Sequence, residues 1–84
     1  MKARVTVYPR REILDPQGKA IREALARVGF EEVREVRAGK SFEIDLGELD
    51  PTRAGERLRD MCERLLANTV VEEYEVELEG PARP

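Results

Sequence analysis

Histidine and tryptophan are absent from this chain, and serine, cysteine, asparagine and glutamine occur once each, as Ser41, Cys62, Asn68 and Gln17. A Ser–His or Cys–His nucleophile pair is therefore excluded within one chain, as are histidine-ligated zinc and a four-cysteine site. No metal site is expected. A single cysteine forms no internal disulfide, which suits a reducing compartment. Aromatics are 5% of the residues. No apolar run approaches the roughly 20 residues that a membrane span requires. Met1-Lys2-Ala3-Arg4 leads directly into a strand pattern, so the protein reads as cytosolic. A basic excess is also missing: 15 Lys and Arg stand against 18 Asp and Glu, a net charge of −3. Nucleic acid is thus not the expected partner, because phosphate binding draws on surplus positive charge.

What is present is charge of both signs, 39% of the residues, and a short chain of 84. That length allows one domain with a thin core, which association would help stabilise. Residues 1–80 read as a single domain and 81–84 as a C-terminal tail.

Ala3, Val5 and Val7 alternate with Arg4, Thr6 and Tyr8, which predicts a first strand. Asp15-Pro16 then supplies a helix N-cap and a proline where its missing N–H costs nothing. Ile21, Ala24, Leu25 and Val28 follow at helical spacing and predict one buried stripe, closed by Gly29. From about Glu32 to Leu46 the pattern is extended, with Val36, Ala38, Phe42, Ile44 and Leu46 in phase. Gly39-Lys40 interrupts it. Two solutions stay open: a hairpin with a three-residue loop at 38–40, or one long strand bent at Gly39. The long strand would span roughly 45–50 Å at about 3.3 Å per residue and overhang so small a domain, leaving part of it to pair with another chain.

Leu49-Asp50-Pro51 repeats the earlier Leu14-Asp15-Pro16 signal and opens a second helix to about Ala67. Its expected stripe is Ala54, Leu58, Met61, Cys62, Leu65 and Leu66, with Asn68 as its stop. A last strand places Tyr74, Val76 and Leu78 opposite Glu73, Glu75, Glu77 and Glu79. The order strand, helix, long strand or hairpin, helix, strand predicts an α+β sandwich of two helices and an antiparallel sheet, either ferredoxin-like or a strand-sharing dimer.

Several possible sites have ordinary explanations. Gly39-Lys40-Ser41 resembles the end of a nucleotide-binding loop, but Arg34 stands where the first glycine belongs and no helix follows. The glutamates of the last strand form a row, whereas a hard cation needs a cage. Tyr8 and Phe42 fall where an RNA-recognition sheet carries stacking aromatics, yet Phe42 is in phase with the core and acidic residues flank it. Cys62 sits on an apolar stripe and reads as an inert buried thiol. The polar loop from Pro9 to Gly18, with Arg10, Arg11 and Gln17 ahead of a helix N-terminus, suits an anion or a partner's acidic surface, and equally suits simple capping by Asp15.

Three blocks taken together, I-L-D-P-Q-G-K-A-I (13–21), V-R-A-G-K (36–40) and C-E-R-L-L-A-N-T-V-V-E-E-Y-E-V (62–76), resemble the PurS family, the small subunit of phosphoribosylformylglycinamidine synthase. The resemblance implies an accessory subunit in purine biosynthesis with no active site of its own. It also implies two larger partners, a glutaminase subunit and an ATP-dependent synthase subunit, between which ammonia passes, and it implies self-association as a dimer. ATP and magnesium would then belong to the large subunit and no cofactor to this one. The family blocks fall on Asp15, Pro16, Gln17 and Gly18, on Arg37, Gly39 and Lys40, and on Leu65 to Asn68. Of these, Gln17, Arg37 and Lys40 are the expected partner-binding residues, being polar, beside bends and outside the apolar stripes. Asp15, Pro16, Gly18, Gly39 and Asn68 are the expected structural positions. A small-molecule-sensing regulatory domain that dimerises through its sheet is the alternative, and a stand-alone enzyme using Asp, Glu or Lys is the third reading.

Overall fold

The computed structural model describes residues 1–79, so the proposed tail at 81–84 lies outside the described residues. Strand β1 (Lys2–Pro9) is the centre of a three-stranded sheet, flanked by β2 (Lys40–Asp45) and β3 (Glu72–Glu79), with both pairings antiparallel. Val5 lies opposite Phe42 on one side and Val76 on the other. That register gathers the apolar side chains of all three strands on one face, since side chains alternate along each strand.

Helix α2 (Pro51–Met61) covers this face. Asp50 starts it by accepting hydrogen bonds from the amides of Thr52 (3.0 Å) and Arg53 (3.2 Å). Ala54, Leu58 and Cys62 descend at i, i+4 and i+8 and are fully buried with Val5 and Val7. Burial pushes the Cys62 thiol above its ordinary range, so it stays protonated in the core.

Past Met61 the helix widens into one π turn, Cys62–Leu66, closed by the Ala67 amide donating to the Cys62 carbonyl at 3.0 Å. The wider turn shifts the phase of every later side chain. Leu66 and Ala67 swing inward, while Leu65 points to solvent at 83% exposure, which corrects its place in the expected stripe. Asn68 then builds the reversal into β3: its side chain accepts from Val70 N, its carbonyl accepts from Val71 N and Glu72 N, and Glu72 accepts from Asn68 N.

The middle region contains no hairpin. Residues 33–39 run extended without a strand partner, and pairing with β1 starts only at Lys40. Gly39 permits this entry because a side chain there would strike the carbonyl of Val7 and lie 3.1 Å from the Tyr8 Cβ. Helix α1 (Pro16–Arg27) ends in a Schellman motif: Gly29 has φ +107°, Phe30 N donates to Leu25 O and Gly29 N to Ala26 O. Its apolar stripe is not buried. Ile21 is 37% exposed and Val28 70% exposed, because α1 lies beside the sheet and not over it. The consequence is an elongated chain, 47 × 35 × 13 Å, with a radius of gyration of 16.2 Å. A compact chain of this length would have about 12 Å.

Candidate interaction surface

The surface begins with one carboxylate. Asp15 accepts from Gln17 N (3.2 Å) through one oxygen, as a helix cap does, and from Ala38 N (2.8 Å) through the other. The second bond ties α1 to the extended segment 33–39. Gly18 completes the joint, since any side chain there would overlap the Val36 carbonyl. These amides, Ala38 first, hold the Asp15 carboxyl below its ordinary value of 3.8. A depressed folded-state pKa means that ionised Asp15 stabilises the fold above pH 3.8, a contribution lost as pH falls through the lower folded value. Asp15→Asn keeps a good cap but loses the charge. Its melting temperature is expected to lie below that of the parent at neutral pH, and the two curves should converge in acid, below the lowered folded-state value of Asp15, where both side chains are neutral. A constant gap across the whole range would show that the charge contributes nothing.

Asp15 and Gly18 occupy one edge of the extended segment, the edge that also faces β1. Backbone groups on a strand alternate between its two edges. The Val36 carbonyl faces Gly18, Ala38 N points to Asp15, and Leu46 N donates to Met1 O, so the even-numbered residues face inward from 36 to 46. Over the same residues the odd-numbered ones turn their N–H and C=O groups to the other edge, where no strand lies among the described residues. An open edge of this kind is a template for another strand.

Arg37 stacks on Tyr8, with its guanidinium carbon 4.6 Å from the ring centroid. The Tyr8 hydroxyl donates to Glu75 (2.9 Å), which raises the Tyr8 pKa, chiefly through that hydrogen bond. Arg37 Nη1 is buried without a hydrogen-bond acceptor. Such an orphaned donor costs free energy until an acceptor arrives. Lys40 sits beside Arg37 in a shallow groove of about 360 Å³ with Thr6, Tyr8, Gly39 and Ser41. Gln17 does not line that groove. It is exposed in the first turn of α1, so the three expected partner-binding residues form one pair and one outlier.

A second hollow of about 410 Å³ lies between α1 and segment 33–39, with Arg11, Lys19, Arg22 and Arg34 around it. Arg11 makes only a loose exposed pair with Glu35 (3.8 Å). Arg10 instead turns into the fold, where its guanidinium donates to the Thr69 carbonyl (2.9 and 3.2 Å). The loop's two arginines therefore have different duties.

Around the exposed apolar groups Ile13, Leu14 and Phe30 lie two residues that periodicity misplaced, Ile21 and Val28. Helical spacing showed that they share a stripe without showing what covers it. The signal was the pairing of that stripe with a strand too long for its own sheet. Elsewhere, Phe42 packs against the core while Tyr8 lies on the opposite sheet face, so the two make no common stacking platform. Among the described residues, no three His, Cys, Asp or Glu side chains converge as a metal site. Among the described residues, no helix is long and apolar enough to cross a membrane.

Comparison with known proteins gives one consistent likeness. The family model described as PurS, phosphoribosylformylglycinamidine (FGAM) synthase, matches residues 2–80. The phosphoribosylformylglycinamidine synthase subunit PurS of Mycobacterium leprae is 46% identical over 79 residues, covering 94% of this chain and 96% of that one. The structure of Methanocaldococcus jannaschii PurS, described as one of the subunits of formylglycinamide ribonucleotide amidotransferase in the purine biosynthetic pathway, superposes with a TM-score of 0.82 at 36% identity, covering 93% and 94% of the two chains. A chain of the PurLQS structure from Thermotoga maritima gives 0.82 at 37% identity, covering 92% and 95%.

Proposed function

This chain belongs to the PurS family of phosphoribosylformylglycinamidine synthase subunits, and from that premise we propose that it joins a glutaminase subunit to an ATP-dependent synthase subunit and supports ammonia transfer between them. It is an accessory subunit of purine biosynthesis, acting in the cytoplasm. ATP and magnesium belong to the large subunit. This chain supplies surfaces.

The observation that carries the reading is the pair of uncovered features on opposite edges of segment 33–39. On one side stands the exposed apolar stripe of α1, and on the other an unpaired strand edge. Both need cover, because exposed apolar area and open edges favour association. A two-fold interface along the strand edge makes a homodimer and leaves α1 free on the far side. The α1 face therefore meets a larger subunit. With Arg37 and Lys40 flanking Gly39, the bend lies next to both surfaces.

Reconstitution tests this reading. Turnover of formylglycinamide ribonucleotide by the two larger subunits should depend on added chain when glutamine is the nitrogen source, and depend on it far less with free ammonia. Lys40→Glu is expected to lower glutamine-dependent turnover at limiting chain concentration and leave the isolated chain folded, since an exposed charge contributes little to stability. Equal glutamine-dependent rates with and without the chain would refute the joining role.

A further inference from the structure

We infer that the hollow between α1, the loop before it and segment 33–39 is a binding site for a small phosphomonoester, held by Lys19, Arg22 and Arg34 with Arg11 at the rim. This site is separate from the joining role, since the chain alone binds the ligand.

Charge is unevenly distributed in this molecule. The whole chain has 18 acidic residues against 15 basic ones, yet five basic residues and only three acidic ones surround this hollow. The three carboxylates do little to cancel the cations. Asp15 spends its two oxygens on backbone amides, and Glu35 reaches only Arg11, loosely, at 3.8 Å. Among the described residues Glu12 makes no ion pair, and Lys19, Arg22 and Arg34 have no carboxylate partner. Arg4, by contrast, lies between Glu43 (3.2 Å) and Glu79 (3.9 Å). Unpaired cations gathered around one concavity focus a positive field into it and draw in an anion.

Shape and chemistry narrow the choice of anion. At about 410 Å³ the hollow falls in the range of about 300–1,000 Å³ typical of small-molecule sites, so it admits an oxyanion carrying an organic body. Guanidinium forks grip phosphate oxygens in pairs, and the Lys19 ammonium adds a point charge. A phosphomonoester carries a charge of about −1.5 to −2 at pH 7, close to the positive excess around the hollow. Ile13, Leu14 and Val36 supply the apolar part of the wall, where the organic body lies. The floor is fixed beforehand. Asp15 bonded to Ala38 N, and Gly18 set against the Val36 carbonyl, lock α1 to segment 33–39, so cations from separate elements keep their spacing before the ligand arrives.

Titration of the full chain, followed in its amide NMR spectrum, tests the site with inorganic phosphate, a ribose monophosphate, adenosine monophosphate and an oligoglutamate peptide as probes. Both esters should shift amides in residues 11–22 and 34–37 saturably at millimolar concentration. They should also bind more tightly than inorganic phosphate, because only they reach the apolar wall. Arg22→Gln with Arg34→Gln is expected to weaken ester binding at least about tenfold, since two charge-assisted contacts are lost. Both positions are exposed, so the variant should keep the circular dichroism of the parent. Arg57→Gln removes an equally exposed charge from α2 and should leave ester affinity unchanged. Absence of saturable shifts with either ester would overturn the site, as would shifts centred outside the hollow or an equal loss in Arg57→Gln. Inorganic phosphate or the peptide binding as tightly as the esters would show general anion attraction and overturn the phosphomonoester assignment.

Discussion

Replacing both Val28 and Phe30 with Glu is expected to reduce glutamine-dependent turnover of the reconstituted complex at least about tenfold, while ammonia-dependent turnover by the same mixture persists. The two residues are 70% and 50% exposed in the single chain, at the open end of α1. Covering a Val or Phe side chain stabilises an assembly by about 1.5–3 kcal/mol, and about 1.4 kcal/mol is a factor of ten in affinity. Two buried carboxylates reverse that contribution and add a desolvation cost. The isolated chain should keep its fold, and its stability should change by no more than about 0.5 kcal/mol, because neither side chain joins the core. The proposed dimer should also persist in this variant, since the strand edge lies across segment 33–39 from α1. Loss of the dimer in this variant would show that α1 meets a second copy of the chain. Unchanged glutamine-dependent turnover at limiting concentration would remove the helix from the assembly surface altogether.

The division between what was readable from the residues and what was not follows the range of each interaction. Local chemistry was legible: Asp15-Pro16 and Asp50-Pro51 start helices, Gly29 ends one, and alternation placed Ala3, Val5 and Val7 in the core. The phase of Phe42 and Ile44 was also readable, since side-chain period in a strand does not depend on what pairs with it. Periodicity shows that Ile21, Ala24, Leu25 and Val28 share a face but contains no term for the distance between that face and the sheet. The π turn was hidden for a similar reason, because C-E-R-L-L suits an α-helix and only packing of Leu66 and Ala67 favours the wider turn. Of the surface, Arg37 and Lys40 could be singled out as polar residues beside a bend. The stacking of Arg37 on Tyr8 could not, since those residues are brought together by sheet register alone.

Two glycine-to-alanine substitutions should move stability in opposite directions, although each lies within a helix and each exchange improves helix propensity by about 1 kcal/mol. In α2 a methyl group at Gly55 meets only the Arg59 guanidinium, at 3.8 Å, an ordinary contact. Gly55→Ala is therefore expected to gain about 0.5–1 kcal/mol and raise the melting temperature by a few degrees. At Gly18 the same methyl group overlaps the Val36 carbonyl and comes within 2.7 Å of Asp15 Oδ2. Backbone must yield there, and the yielding part is the joint that Asp15 makes with Ala38. Overpacking of this kind costs about 1–3 kcal/mol, which exceeds the propensity gain over most of that range. About 4–8 °C per kcal/mol applies to a domain of this size, so Gly18→Ala should lower the melting temperature clearly while Gly55→Ala raises it, at matched protein concentration. Displacing segment 33–39 also misplaces its open edge, so Gly18→Ala should weaken self-association and Gly55→Ala should not. A stabilised Gly18→Ala chain would mean that α1 and the strand are not locked together, and the geometry that sets the two proposed association surfaces on opposite sides of one segment would lose its support.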